Sequence, residues 1–218
     1  MPADTSSRNQ AVAARNSARI LRAAREVFAR RGPQAMLEEI AREAGVGIAT
    51  LYRHFPSKEQ LVQAALRQAV TEELDPAITA ALGDDDPKHG LATLLEATLT
   101  MAAREQNTLA AAGNSGVLTA EATAPFLDAL ALLTRRGQQA GTLRADVVPD
   151  DLHRIMGMLV SVLWSNEPGS ANWRRYVTLL LDSLSPLGAT PLPPLLPGTK
   201  CRQGTPSSPE TEGNDTSL

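Results

Sequence analysis

The sequence has few of the features that are typical of secreted and membrane proteins, namely cysteines, long apolar stretches and a signal peptide. It contains one cysteine, Cys201, so it cannot form an internal disulfide bond. Its longest strongly apolar stretch, residues 156–164, is about half of the roughly 20 residues needed to span a bilayer. Residues 1–10 are polar and lack the apolar core of a signal peptide. We therefore expect a cytoplasmic protein that has no membrane partner.

The residue patterns of catalytic and metal sites are also missing. The three histidines, His54, His89 and His153, lie far apart, and none has metal-ligand spacing with a cysteine or a second histidine. There is no nucleophile motif and no glycine-rich phosphate loop. We expect no metal, no cofactor and no enzyme activity. A helical enzyme or a small-molecule carrier is the remote alternative.

Aromatic residues make up only 3% of the chain and β-branched runs are scarce, whereas alanine and leucine dominate, which favours helices. Apolar residues recur with the spacing of a helix, and no convincing strand pattern is present. Seven prolines lie at the edges of helix-like segments: Pro33, Pro56, Pro87, Pro125, Pro149, Pro168 and Pro186. Pro76 is expected to break or kink a helix that begins after Ser57. The predicted fold class is all-α, with about nine helices.

The charges are distributed unevenly along the chain. Residues 1–60 contain ten Lys/Arg and six Asp/Glu, whereas residues 61–218 contain eleven and eighteen. The first segment is therefore net basic and the second net acidic. A basic head on an acidic body suits a protein in which only the head meets phosphate.

Four segments are predicted from composition and pattern. They are a flexible N-terminal arm (1–12), a helix-turn-helix domain (13–60), a helical regulatory domain (61–187) and a disordered tail rich in proline and glycine (188–218). Helices of the regulatory domain are expected at about 88–105, 125–140, 149–166 and 171–186.

Two short helices joined by a glycine-containing turn are predicted in the head. Residues 37–44 and 48–55 have helical apolar spacing, and residues 45–47 turn the chain because glycine takes positive φ at low cost. Ser57 is expected to cap the helix that follows. The side chains of the second short helix expected to face inward are Ile48, Leu51 and Phe55.

The preceding helix, at about residues 13–31, has an apolar stripe on one side. Arg15, Arg19 and Arg22 lie on the opposite side. Two interpretations of this basic stripe stay open, namely a solvated helix face and a contact with phosphate.

Residues 39–61 read EIAREAGVGIATLYRHFPSKEQL. This stretch resembles the DNA-binding signature of the TetR family of transcription regulators, because IAREAGV, TLYRHF and SKEQL occur in the family's order and spacing. The strict resemblance covers roughly residues 15–61. The remainder is similar in size, in helical count and in the phrase GTLRAD at residues 141–146. One departure is Ala35-Met36, where the family often has Ser or Thr, and it weakens the cap of the second helix.

The resemblance implies an N-terminal three-helix DNA-binding domain that docks in the major groove of double-stranded DNA. It assigns phosphate contacts to Thr50, Tyr52 and Lys58, and we expect Arg53 and His54 to contact base edges. For Tyr52, packing in the core is the alternative, and for His54 a backbone contact or a surface position. The full set of expected DNA-binding residues is Gly47, Ile48, Ala49, Thr50, Tyr52, Arg53, His54 and Lys58.

The resemblance also implies a C-terminal helical domain for dimerisation and ligand binding. The last two helices would form a four-helix interface in a homodimer. The residues considered for that interface, which could equally be intrachain core, are Met156, Leu159, Val160, Leu163, Val177, Leu180, Leu181 and Leu184.

A cavity for a small, largely apolar effector is a further implication of the resemblance. The residues considered for its lining, each of which could instead be plain core, are Met101, Phe126, Leu130, Met158 and Trp164. The leading functional hypothesis is a ligand-responsive homodimeric repressor that binds a palindromic operator. The alternatives are a transcriptional activator and a DNA-binding regulator that needs no ligand.

Overall fold

The computed structural model describes residues 3–112, 120–165 and 172–194. Every extended regular element in these ranges is a helix, and none of the described residues forms a strand. The all-α prediction is therefore confirmed. The helices are α1 (Ala3–Arg31), α2 (Leu37–Glu43), α3 (Ile48–His54), α4 (Lys58–Ala69), α5 (Asp75–Gly83), α6 (Pro87–Arg104), α7 (Gln106–Ala112), α8 (Ala120–Gln139), α9 (Pro149–Ser165) and α10 (Trp173–Ser183).

A π-helical turn, Val70–Leu74, joins α4 to α5 without a break in the helix. Of the two outcomes expected at Pro76, a break or a kink, the break is therefore wrong. Pro76 occupies the first turn of α5, where proline is tolerated because its missing N–H needs no helical partner. Just before it, the N–H of Asp75 donates to the carbonyl of Val70, five residues back. With α4 and α5 counted as one bent helix, the described residues form nine continuous helices.

Three element boundaries differ from the sequence prediction. The predicted flexible arm is helical from Ala3 onward, so α1 begins ten residues earlier than expected. Pro125 lies inside α8 instead of at its edge, because α8 begins five residues before it, at Ala120. The short helix α7 was not predicted at all.

The head has an apolar core of its own, built from α1 to α4 and from one residue of α7. Residues of α4 as far as Leu66 belong to it, so the head core extends past the predicted domain boundary at residue 60. Its fully buried large side chains are Ile20, Phe28, Ile40, Leu51, Leu61 and Leu66.

The body has a separate core in which α6 packs against α8, α9 and α10. Most residues considered for a dimer interface are buried in this core, which confirms the intrachain alternative for them. These buried residues are Met156, Leu159, Leu163, Val177, Leu180 and Leu184. Helices α9 and α10 are apolar on two sides, and helical spacing alone does not indicate which side faces inward.

The phrase GTLRAD forms a clamp for the chain beyond α10. The guanidinium of Arg144 contacts both carboxylate oxygens of Asp146, at 2.6 and 2.8 Å, and donates to the carbonyl of Thr190. Asp146 accepts the N–H of Leu192 at 2.9 Å. Within the predicted tail, Thr190 and Leu192 are thus held by polar bonds that apolar patterning does not reveal. Residues 195–218, with Cys201, lie outside the described residues.

The clamp predicts a local pH dependence. The hydrogen bonds from Arg144 and from the N–H of Leu192 hold the pKa of Asp146 well below its ordinary value of 3.8. A carboxyl group whose pKa is lowered by folding stabilises the folded state when the pH is above its ordinary pKa. That stabilisation is lost as the pH falls from the ordinary pKa through the folded-state pKa.

We expect Asp146→Asn to speed amide hydrogen exchange at Leu192 at pH 7, because the amide loses its charged acceptor. Asp150→Asn is the matched control, since Asp150 pairs only with Arg154 at the surface of α9. Equal protection of Leu192 in the wild type and in Asp146→Asn would contradict the clamp.

Candidate nucleic-acid interface

The turn between α2 and α3 is fixed by backbone geometry. Gly45 has φ of +61°, which an L side chain rarely adopts, and its N–H donates to the carbonyl of Arg42. The N–H of Val46 donates to Ala41 at 3.0 Å. These two bonds form the Schellman motif, which ends α2 and turns the chain toward α3.

Helix α3 packs one side into the head and leaves the other open. Leu51 and Phe55 are buried, as predicted, whereas Ile48 is 37% exposed, so the prediction that it faces inward is wrong. A Cβ at Gly47 would meet no atom within 4 Å. Packing within the chain therefore does not require glycine there, and the start of α3 is accessible to a close-fitting partner.

The remaining α3 residues expected to contact DNA lie on or near this open side. Tyr52 is 45% exposed, so it does not pack in the core. Arg53 is exposed and makes no hydrogen bond or ion pair to another described residue. Thr50 and His54 are half-buried, and the His54 ring is tilted against the Phe55 ring. Ala49 is exposed beside them and adds little bulk.

Lys58 is engaged within the head. Its ammonium donates to the carbonyls of Pro33 and Ala35, each at 2.7 Å, and so ties α4 to the turn between α1 and α2. The side chain of Met36, the cap residue of α2, provides no hydrogen bond, as its departure from Ser or Thr predicts. Ser57 caps α4 by accepting the N–H of Gln60, also as predicted. An ammonium has three N–H groups, so one donor of Lys58 remains for an external anion.

Arginines of α1 also brace the head. Arg19 donates to the carbonyl of Gly45 at 3.3 Å, which links α1 to the turn before α3. Arg30 pairs with Glu43 of α2 at 3.2 Å. The three helices that position α3 are thus connected by polar bonds as well as by the apolar core.

A group of charged residues joins the head to the body. The Arg25 guanidinium contacts Glu105 at 2.7 Å, Glu72 at 2.7 Å and Glu73 at 3.1 Å, and Arg104 pairs with Glu73 from the other side. We call these residues the Arg25 cluster. Burial lowers the pKa of Arg25, but the hydrogen bonds and charges of Glu105 and Glu72 outweigh it, so the pKa is raised.

The Arg25 cluster lines an open cleft of about 600 Å³ between α1, the π turn and α6. The sequence does not predict this cluster. Its carboxylates are 47 to 80 residues from Arg25 along the chain, and charged residues on separate helices show no pattern that indicates a contact.

The residues considered for an effector cavity do not line one space. Phe126 and Leu130 are buried in the body core, whereas Met101 belongs to a small separate cluster beside the π turn. Met158 and Trp164 are 59% and 46% exposed. Met158 borders an open groove of about 450 Å³ that Leu184 and Leu192 also line, so its surroundings differ from those of Phe126.

The described part of the chain contains no group of three or more His, Cys, Asp or Glu side chains that could hold a metal ion. No described helix combines the length and apolar character needed to cross a membrane.

Comparisons with known families match both parts of the chain. The family of bacterial regulatory proteins, tetR family, matches residues 20–65, which include α2 and α3. The SbtR-like C-terminal domain of transcriptional regulators matches residues 86–186. The curated protein RaaS of Mycobacterium tuberculosis, an HTH-type transcriptional regulatory protein, is 43% identical over 79 residues, which are 36% of this chain and 37% of RaaS.

Solved structures extend the similarity over most of the chain. A TetR transcriptional regulator from Streptomyces coelicolor is 31% identical, with a TM-score of 0.59, over 78% of this chain and 99% of its own. A TetR transcription regulatory protein from Mycobacterium vanbaalenii is 32% identical, with a TM-score of 0.58, over 81% of this chain and 98% of its own.

The position of Lys58 generates a prediction about stability. We expect Lys58→Met to lower the free energy of unfolding by about 1–3 kcal/mol, because two carbonyls lose a charged donor while the apolar stem is kept. Urea unfolding followed by circular dichroism measures it.

Lys88→Met is the control, because the Lys88 ammonium makes no such bond to the described residues. Equal unfolding midpoints for the two variants would show that the two bonds of Lys58 contribute nothing to the head.

Proposed function

The chain belongs to the TetR family of DNA-binding transcriptional regulators, and from this premise we propose that it is a homodimeric, ligand-responsive repressor of a palindromic operator. Members of this family are regulators and not enzymes. The observation that carries the proposal is the open side of α3. It combines small residues at the start of the helix with an exposed, unpaired Arg53 near its end.

The side chains of α3 suit distinct kinds of contact with DNA. Gly47 and Ala49 present little bulk, so the start of the helix can approach base edges closely. Arg53 has a free guanidinium, which matches the O6 and N7 acceptors of guanine. Thr50 and Tyr52 carry hydroxyls suited to phosphate oxygens, and His54 is near enough to Arg53 to contact an adjacent base.

An exposed apolar face on the body supports the homodimer. It lies on the outer sides of α9 and α10, one helical step away from the residues buried in the body core. Apolar patches of this kind on a folded domain mark interaction surfaces. Its exposed residues, which we call the outer face, are Met158, Val162, Trp164, Tyr176 and Leu179.

Two-fold symmetry relates the dimer to the shape of its operator. An interface formed by the same face on both protomers places the two α3 helices in equivalent, oppositely oriented positions. Each α3 reaches only a few base pairs of major groove. The operator would therefore be a palindrome whose half-sites are about one helical turn apart.

The connection between head and body supports ligand response. The continuous helix of α4, the π turn and α5 joins the head to the body, and α7 packs against the head. The Arg25 cluster adds charged contacts, and its carboxylates lie on the π turn and between α6 and α7. A small, largely apolar effector in the body would act by favouring an arrangement of these helices that no longer fits the operator. Repression follows when the bound dimer blocks transcription until the effector binds.

The experiment that tests this function is selection of binding sites from a random duplex library. The wild type should enrich a palindrome with half-sites about 10 base pairs apart. Leu179→Glu should enrich none, because a charge on the outer face opposes dimerisation. The body exposes Ala80 on α5, so Ala80→Glu is the matched control and should select as the wild type does.

Sedimentation of the same three proteins supplies the masses. We expect dimers for the wild type and Ala80→Glu and monomers for Leu179→Glu at micromolar concentration. A monomeric wild type, or selection of a single unpaired half-site by it, would contradict the proposed dimer.

A further inference from the structure

The N-terminal part of α1 extends beyond the head core. Within the described side chains of this helix, Ile20 is the first buried one, and residues 10–19 are exposed or half-exposed. Residues 10–19 therefore form about 15 Å of helix that does not pack in the core. We call these residues the projecting segment.

The projecting segment points away from the body. The other end of α1 is attached to the body, because Arg25 contacts Glu105 and the carbonyl of Ala29 accepts the side-chain amide of Asn107. Between these ends, Arg19 bonds to Gly45 in the turn that leads into α3. The segment therefore leaves the head beside the start of α3, on the side that faces DNA in the proposed function.

The charge of this part of α1 has one sign. Residues 5–25 contain five arginines and no acidic residue. Arg15, Arg19 and Arg22 have the spacing i, i+4, i+7 and are all exposed, so they form one basic face. The acidic side chains near it, Glu26 and Glu43, share a small cleft with Arg19 and Arg22. Arg15 lies one turn farther from both.

Most of the stability of a helix in a protein comes from packing of an apolar face against the rest of the chain. A basic helical segment that packs no such face gains little stability in this way. Contact with a polyanion would compensate, and duplex DNA on α3 lies within reach because the two surfaces meet at Gly45. We propose that the projecting segment is a second DNA-binding element, in which Arg15 and Arg19 contact backbone phosphates beside the major-groove segment occupied by α3. Its partner is the phosphate backbone, so this contact is independent of base sequence.

Arg15→Ala tests the proposal without weakening the helix, since alanine has the higher helix propensity. The probe is a 30-base-pair duplex of arbitrary sequence, titrated at several salt concentrations. Loss of one phosphate contact lowers the salt-dependence slope by about 0.9. Between 50 and 200 mM salt, the affinity of Arg15→Ala should therefore fall about 3.5-fold less than that of the wild type.

Two further variants separate charge from other causes. Arg15→Lys should restore the slope, because a single positive charge is enough to displace a counterion. The body exposes Arg135 on α8, and Arg135→Ala should behave as the wild type does. A slope unchanged by Arg15→Ala, or not restored by Arg15→Lys, would overturn the proposal.

The inference rests on the proposed docking of α3, and its failure can be distinguished from failure of that function. If the wild type selects no sites from the random duplex library, the proposed function fails. If it binds and Arg15→Ala matches it, only the second DNA-binding element fails. A loss in Arg15→Ala that varies with the sequence of the duplex would also overturn the phosphate contact.

Discussion

Arg25 connects the head to the body through charged contacts. This one guanidinium reaches two carboxylates on the π turn and a third, Glu105, that is almost completely buried. A buried carboxylate needs a charged partner to offset the cost of its desolvation. Arg25 provides that partner from α1, the helix that also supplies much of the head core. Arg25 therefore joins the head to the body at the π turn, where the chain adopts an unusual helical conformation.

The head is held together by an apolar core and by polar bonds between its helices. Its core is formed by side chains from four helices, and Lys58, Arg19 and the Schellman turn at Gly45 fix the backbone around α3. Rigid support of this kind suits a surface that must fit a groove without adjustment. Motion between head and body would then change the distance between two such surfaces in a dimer and leave each surface intact.

The sequence predicts the local features of this structure well and the long-range ones poorly. The bounds of α2 and α3, the turn at Gly45 and the cap at Ser57 depend on neighbouring residues, so they could be predicted. The Arg25 cluster and the clamp formed by Arg144 and Asp146 connect residues far apart, and no local pattern indicates them. For α9 and α10, apolar residues on two sides left the choice between core and surface open, and only the packed structure resolves it.

The central claim is that α3 reads bases through Arg53. The most direct test of base reading by Arg53 is a double-mutant cycle. The wild type and Arg53→Ala are each titrated against the selected operator and against duplexes with single base-pair changes. The account predicts a coupling free energy of about 1–3 kcal/mol between Arg53 and one G·C pair in each half-site, and none at the other positions. Independent, additive effects at every base pair would contradict it.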